Sequence, residues 1–266
     1  MSFSNPPARR IISTVGHILP ALCSVGLLIL VWELYARFSG ISPTTLPSPS
    51  RVLAQAVVHR HALWDNTVPT VRATVLGFSC SLAAAFIFSV LIDFFRRLRR
   101  ALFPIFIISQ TLPLVAIAPL VVLWFGFGLT PKILLVALVT FFPMLVALAQ
   151  GYEATEEEIE LLLASMGAPR WKRFLLARFP AALPHFFAGL RISITYAVVG
   201  AIFAEYAGAA QGLGIYILNA KNNFRPDLVL AAVLVSALLT LTLFGASVLV
   251  QYAAMPWTRR GRYTLR

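Results

Sequence analysis

The sequence predicts an all-helical membrane protein with six transmembrane helices, and three observations carry that prediction. Hydrophobic residues make up 59% of the 266-residue chain and charged residues only 12%, about half the charged share of soluble domains. Six apolar stretches each approach or exceed the roughly 20 residues that a membrane helix needs. One charged segment, itself patterned as a short helix, separates the fourth stretch from the fifth.

The six predicted spans form one transmembrane domain, residues 15–252, between two short tails, 1–14 and 253–266. The span bounds follow the apolar runs and are about 15–37, 70–92, 101–125, 132–150, 184–207 and 228–252. Span 1 is predicted to be retained rather than cleaved as a signal peptide. Its apolar run continues into Trp32-Glu33 without the small residues that mark a cleavage site.

The basic residues predict that both termini are cytoplasmic. The net charge is +12, but the basic residues lie at the ends of apolar runs, which indicates topology rather than nucleic-acid binding. With both termini inside, the inner segments hold about twice as many Lys and Arg as the outer ones. The inner residues fall in four clusters: Arg9–Arg10, Arg96–Arg100, Arg170–Arg178 and Arg259–Arg266.

The charged loop, residues 151–183, contains a pattern typical of a helix with defined ends near residues 156–166. Thr155 and Glu158 fit a capping box, with Thr155 as the N-cap. Gly167 fits the left-handed position that ends many helices. Acidic residues in the first turn suit the positive end of the helix dipole.

The second half of this predicted helix is apolar: Ile159, Leu161, Leu162, Leu163 and Met166. Such a surface is expected to be covered, either by the chain's own helix ends or by another protein. A second helix is predicted to begin at Pro169. Pro180 and Pro184 are expected to close it before span 5.

At this loop the sequence resembles the permease subunits of binding-protein-dependent ABC importers. Their cytoplasmic signature is a Glu-Ala-Ala motif, followed at a set spacing by a Gly and then by a Leu-Pro pair. Gly167 matches the Gly, and Phe179-Pro180 with Leu183-Pro184 matches the tail. The Glu-Ala-Ala positions fall on Leu161–Leu163, so the acidic residue is missing there. Whether Glu160, one residue earlier, replaces it stays open.

The resemblance covers almost the whole chain. Trp32-Glu33, Leu46–Pro49 and Pro119–Gly126 look like the nitrate/sulfonate/taurine branch of these permeases. The Ser165–Ala168 form, and Ala197–Glu205 with Gly212–Gly214, look closest to permeases for pyrimidine precursors of thiamine or for riboflavin.

The resemblance implies a multi-pass permease of the bacterial inner membrane that imports a small organic solute. It implies a homodimer, although a heterodimer stays open, with two ABC ATPase subunits and an extracytoplasmic solute-binding protein. A pyrimidine-type thiamine precursor is the leading substrate, with riboflavin, sulfonate or taurine, and nitrate as alternatives. The rival class is a six-span secondary transporter that works alone.

We expect this chain to be no enzyme and to bind no cofactor, metal or nucleic acid. A phosphate loop needs Gly-Lys followed by Ser or Thr, and no lysine here follows a glycine. The resemblance implies that ATP and Mg are used by the partner ATPase. It also implies that the short helix couples to that ATPase through Glu160, Leu161, Leu162, Leu163, Ser165, Met166, Gly167 and Ala168.

Polar residues within spans are the second set of candidates, because burying them in a membrane is costly. Gln110 and Thr111 in span 3, and Tyr196 and Glu205 in span 5, are assigned to the translocation path. The alternative for Gln110 and Thr111 is an interhelical hydrogen bond. For Glu205 the alternatives are the headgroup level or an ion pair with Arg72 or Lys221.

Overall fold

The computed structural model describes the backbone of residues 7–256 and the side chains from Leu19 onward, apart from Ala21. Within these residues every regular element is a helix. In chain order they are α1 (Pro7–Phe38), α2 (Pro49–Val58), α3 (Arg60–Phe94), α4 (Arg96–Thr111), α5 (Leu114–Phe125), α6 (Leu129–Glu153), α7 (Glu157–Ser165), α8 (Arg170–Arg173), a π-helical turn (Phe174–Arg178), α9 (Phe179–Tyr206), α10 (Leu213–Asn222) and α11 (Pro226–Ala254).

Among the described residues, four helices are long and apolar enough to cross a membrane: α3, α6, the run Arg170–Tyr206 that ends in α9, and α11. The pair α4 and α5 also qualifies, but it is bent by 102°. The all-helical membrane class is therefore confirmed. Predicted span 1 falls in α1, where the side chains of Arg9 and Arg10 lie outside the described residues, as do Arg259–Arg266 of the predicted C-terminal tail.

The third predicted span, 101–125, is wrong as a single straight helix. The structure breaks it at Leu112-Pro113 into α4 and α5. Proline lacks an amide hydrogen, and its ring disfavours helical geometry in the residue before it. Leu112 accordingly has extended backbone angles, φ −74° and ψ 126°. The chain therefore turns sharply where the apolar pattern alone predicts continuity.

The prediction that Pro180 and Pro184 close the second helix of the loop is wrong. The helix runs from Arg170 to Tyr206, and neither proline ends it. Pro180 directly follows the π-helical turn, where the hydrogen-bond pattern of the helix changes. Pro184 lies inside α9. The helix that contains predicted span 5 therefore begins within the predicted loop, 151–183.

The contacts of the chain divide it into two compact units. Unit 1 comprises the described residues up to Arg60 with Ala220–Ala231, and unit 2 comprises His61–Asn219 with the described residues from Ala232. In unit 1, Asp227 accepts hydrogen bonds from Arg225 (3.0 Å) and Arg51 (3.4 Å). Glu33 accepts from the amide of Ser50 at 2.9 Å.

The core of unit 2 is the antiparallel packing of α6 on α9. A Cβ atom on Gly151 of α6 would lie 2.6 Å from the Cα of Ala182, and one on Gly200 of α9 would lie 2.8 Å from Val139. Glycine at these positions lets the two backbones approach closely, as is common between membrane helices. The buried residues around this pair include Met144, Leu145, Phe187, Leu190 and Ile194.

Candidate functional site

The α7 loop, residues 154–169, joins α6 to α8 and carries the predicted coupling residues. Its helix lies within one residue of the predicted bounds, but its N-terminus is built differently. The N-cap is Glu156, which makes no side-chain cap hydrogen bond. The predicted capping box is therefore wrong, because the Thr155 hydroxyl is buried with no hydrogen-bond partner in the described part of the chain. Glu157, Glu158 and Glu160 still place negative charge at the positive end of the dipole.

The C-terminus of α7 ends as predicted. Gly167 has φ +77°, the left-handed conformation that favours glycine. The amide of Gly167 donates to the carbonyl of Ala164 at 3.0 Å, and the amide of Ala168 donates to the carbonyl of Leu163 at 2.9 Å. These bonds close the last turn. No atom of the described residues lies within 4 Å of a Cβ built on Gly167, so backbone conformation rather than space favours glycine there.

One side of α7 is apolar and faces outward. We define the apolar α7 face as Ile159, Leu161, Leu162 and Met166, which are 43%, 62%, 60% and 75% exposed. Ile159, Leu162 and Met166 follow the spacing that aligns residues along one side of a helix. Leu163 is half-buried. Three large apolar side chains on a nine-residue helix, with Met166 at its C-cap, form a patch that needs a covering surface.

Glu160 lies on the other side of α7 and contacts its own chain. Its carboxylate accepts hydrogen bonds from Nε and, at 3.3 Å, from Nη2 of Arg178. Nη1 of Arg178 donates to Oδ1 of Asp93 at 2.5 Å. This Arg178 triad, Glu160–Arg178–Asp93, links α7 to the π-helical turn and to the end of α3. The hydrogen bond from Arg178, helped by the charges of nearby arginines, holds the pKa of Glu160 below its usual range.

Sequence reasoning placed Glu160 among the docking residues and missed both its bond to Arg178 and the bond from Arg178 to Asp93. Asp93 and Arg178 are 85 positions apart in the sequence, so no local spacing relates them. The sequence offers one hint of this contact: Asp93 and Arg178 are both charged residues at the predicted cytoplasmic ends of apolar runs.

Ser165, another predicted coupling residue, donates a hydrogen bond to the carbonyl of Leu162 at 2.8 Å. Its hydroxyl therefore bonds within α7.

The four predicted path residues share no hydrogen bond with one another in the described part of the chain. Gln110 and Thr111 end α4, beside the break before α5. Gln110 Nε2 donates to the carbonyl of Leu138 on α6 at 3.3 Å, the interhelical bond that was the alternative. The Thr111 hydroxyl donates within α4, to Ile108 at 2.8 Å. Tyr196 on α9 is 53% exposed.

Glu205 is fully buried, unlike a side chain at the headgroup level. Its carboxylate accepts from the Thr70 hydroxyl at 2.8 Å and from the amide of Gly214 at 2.7 Å. The amide of Leu213 donates to the same hydroxyl at 2.9 Å. A Cβ on Gly212 would collide with the carboxylate. This Glu205 network therefore fixes the first turn of α10 to α3 and α9, and Arg72 of α3 does not hydrogen-bond to Glu205.

Several apolar helices of spanning length, with an exposed apolar helix in one of the loops, define an integral membrane protein with a surface suited to a partner. Residues 74–260 match the family described as binding-protein-dependent transport system inner membrane component. The match covers more than half of the chain, and the chain belongs to this family. It is a permease subunit of the ABC importer class.

Two relatives and one solved structure illustrate the family. The formylaminopyrimidine transport permease ThiX of Halalkalibacterium halodurans is 32% identical over 88% of this chain and 94% of its own. The riboflavin transport system permease RibX of Chloroflexus aurantiacus is 34% identical over 87% of each chain. A structure of the MetNI methionine ABC transporter in inward-facing conformations matches with a TM-score of 0.59 at 17% identity. It covers 75% of this chain and 97% of that chain, and this likeness shows the fold.

Proposed function

We propose that α7 is the coupling helix through which an ABC ATPase drives this permease. The observation that carries the proposal is the two-sided character of α7. Its apolar face is exposed, whereas Glu160 on the other side is tied to Arg178 and, through it, to Asp93. A push on the apolar face would therefore reach α3 and the π-helical turn before α9. Leu161, Leu162 and Met166 are the docking residues in this proposal, Gly167 sets the end of the helix, and Glu160 anchors it.

We further propose the assembly and topology that this role requires. Six spans with both termini in the cytoplasm place the α7 loop on the cytoplasmic side, where an ATPase is found. The assembly would hold two permease chains, taken as a homodimer, two ATPase subunits and an extracytoplasmic solute-binding protein. ATP and Mg would be bound by the ATPase. ATP-driven closure of the ATPases would switch the spans between outward-facing and inward-facing states.

For the substrate we propose a pyrimidine-type thiamine precursor. The support is the similarity to ThiX along most of both chains, and RibX makes riboflavin the second candidate. Sulfonates, taurine and nitrate are the remaining candidates of the same branch. Gln110, Thr111 and Tyr196 are proposed to face the path, since all three are exposed in the single chain. Glu205 is instead proposed to support the path by holding α10.

The test is uptake and ATP hydrolysis in proteoliposomes that contain this chain, its ATPase and its binding protein. Leu161→Asp/Leu162→Asp should abolish co-purification of the ATPase and solute-stimulated hydrolysis, because charges are costly in a dry contact. Glu157→Gln is the matched control on the same helix, as Glu157 is exposed and lies outside the apolar α7 face. It should retain both activities.

Transport by this chain without ATP or an ATPase would instead favour the secondary transporter. If the double variant still binds its ATPase normally, the apolar α7 face is not the docking surface. For the substrate, a formylaminopyrimidine, riboflavin and taurine are compared as competitors of uptake. Stimulation of ATP hydrolysis by riboflavin or taurine alone would reject the thiamine-precursor assignment while leaving the coupling proposal intact.

A further inference from the structure

A small polar cavity lies beside the Arg178 triad, where α3, α4, α7 and α8 approach one another. Its volume is about 190 Å³. Six charged side chains line it, four arginines and two carboxylates: Asp93, Arg96, Glu160, Arg170, Arg173 and Arg178. Phe94 and Phe174 complete the wall. The cavity therefore has a net positive lining, although it adjoins the apolar core of the helices.

The two carboxylates do not neutralise the four guanidinium groups. Both Glu160 and Asp93 pair with Arg178. In the described part of the chain, Arg96, Arg170 and Arg173 form no ion pair. The guanidinium of Arg170 lies over the ring of Phe94, with its Cζ 5.7 Å from the centroid. Three arginines therefore bring charge to one cavity without a carboxylate of their own.

Arg173 lines the cavity without a carboxylate of its own. Both neighbouring acids pair with Arg178, and within the described residues no ion pair includes Arg173. Its Nε atom is buried in the protein, so a ligand in the cavity would meet the remaining nitrogens of the guanidinium group. An arginine that lines a cavity without a carboxylate suits an anionic ligand.

We propose that this cavity binds a phosphate-type oxyanion held by Arg96, Arg170 and Arg173. Guanidinium groups bind phosphate oxygens through paired, charge-assisted hydrogen bonds. A water molecule occupies about 30 Å³ in the liquid, so the cavity has room for a five-atom PO₄ group. The bound oxyanion would join the start of α4 to α8, next to the anchor of α7.

Two sources supply this chemistry: the headgroup phosphate of an anionic phospholipid, or a soluble phosphate. The lipid source is suggested by the position of the cavity at the end of α3, beside the basic cluster Arg96–Arg100, since basic pockets between helix ends on the cytoplasmic side bind anionic headgroups. That argument rests on the proposed topology. The oxyanion chemistry does not, because it follows from the arginines alone.

The test uses the full-length chain in two preparations. In maltoside detergent, which carries no phosphate, inorganic phosphate is titrated at constant ionic strength with chloride as the counter-anion. In nanodiscs of mixed phosphatidylcholine and phosphatidylglycerol, the lipids retained on the chain are counted by native mass spectrometry. We expect saturable binding of phosphate, selective retention of phosphatidylglycerol, or both. Phosphatidylglycerol alone identifies the headgroup as the source, and phosphate alone identifies a soluble ligand.

Arg173→Gln and Arg96→Gln should each weaken binding about tenfold or more, because each removes a charge-assisted bond. Arg97→Gln is the matched control, since Arg97 is exposed, adjacent to Arg96 and absent from the cavity wall; it should stay within about twofold of wild type. If Arg173→Gln fails to fold, Arg173→Lys replaces it. This variant keeps the positive charge and tests whether charge alone suffices for oxyanion binding. The proposal is overturned if neither ligand binds saturably, or if Arg97→Gln weakens binding as much as Arg96→Gln does.

Discussion

The two ends of α9 use a carboxylate in opposite ways. Just before α9, Arg178 pairs with Glu160 of α7, and both side chains are partly exposed, 33% and 24%. Near the end of α9, Glu205 is fully buried and is held by a hydroxyl and a backbone amide. The first arrangement pairs opposite charges near solvent, where a pair contributes little. The second pairs a buried carboxylate with uncharged donors, and removing either the carboxylate or a donor is costly.

This difference indicates which short helix is fixed and which is free to shift. The Glu205 network holds the first turn of α10 in one place, whereas the Arg178 triad ties α7 by bonds that can be exchanged at small cost. Residues 178 and 205 are separated by about 40 Å along a helix that rises 1.5 Å per residue. The π-helical turn lies at the α7 end, and such turns often mark functional positions. We therefore expect motion to enter at α7 and the α10 end to act as the support.

The largest loss of stability is expected at the Glu205 network, which holds the first turn of α10. Glu205→Ala should destabilise the chain by about 1–3 kcal/mol, because it leaves the Gly214 amide buried without its acceptor. The Thr70 hydroxyl can still donate to the carbonyl of Asn66. Glu205→Gln should lose less stability, since the oxygen of its side-chain amide can still accept a hydrogen bond. Thermal inactivation in detergent, followed by size-exclusion chromatography, measures the loss. Glu157→Ala, which removes an exposed carboxylate, is the control, and equal losses in the two alanine variants would contradict the comparison.

The next effect concerns the end of α7. Gly167→Val places a β-branched residue at φ +77°, at a cost of about 1–2 kcal/mol in that conformation. We expect the last turn to rearrange and ATPase co-purification to fall. Gly40→Val is the control, because Gly40 has φ +71° and equally open surroundings but lies between α1 and α2, away from α7 in the sequence. If Gly40→Val lowers co-purification as much, the effect is general strain rather than lost docking.

These residues also show what the sequence alone can predict. The end of α7 was predictable because Gly167, Pro169 and the apolar pattern lie within one short segment, and the all-helical class followed from composition. The partner of Glu205 and the second partner of Arg178 were not predictable, because Thr70 and Asp93 come from α3, 135 and 85 residues away from them. A lone ionisable residue in an apolar run signals a buried contact but not with which residue.

The prolines show the same limit within single elements. Pro180 and Pro184 were expected to end a helix and do not, whereas Pro113 was placed inside a continuous span and breaks it. The effect of a proline depends on where it falls in the hydrogen-bond ladder. Pro113 follows an extended residue and breaks the third predicted span, whereas Pro180 falls in the first turn of α9 and breaks nothing. The π-helical turn that shifts this register has no simple sequence pattern. Local chemistry therefore predicted the possibility of a break, and the tertiary packing determined the outcome.

A smaller effect is expected when the Arg178 triad is opened. Glu160→Gln should cost less than about 1 kcal/mol in stability, as is usual for partly exposed pairs. If α7 transmits motion through this contact, the variant should nevertheless hydrolyse more ATP per solute imported. Asp93→Asn, which leaves the bond to α7 in place, should uncouple less. Unchanged stoichiometry in Glu160→Gln would show that α7 acts without this anchor.

The smallest predicted effect is the pH dependence of the stability that the Glu160–Arg178 pair contributes. The pKa of Glu160 is lowered from 4.5 by the hydrogen bond from Arg178, so the folded state favours the charged carboxylate. The resulting stabilisation is fully present above the ordinary pKa and is lost as pH falls through the lowered value. The stability gap between wild type and Glu160→Gln should therefore be constant near neutral pH and narrow below about pH 4.5. Thermal inactivation of both proteins across that range measures the gap, and a gap that narrows already near pH 7 would indicate another titrating group.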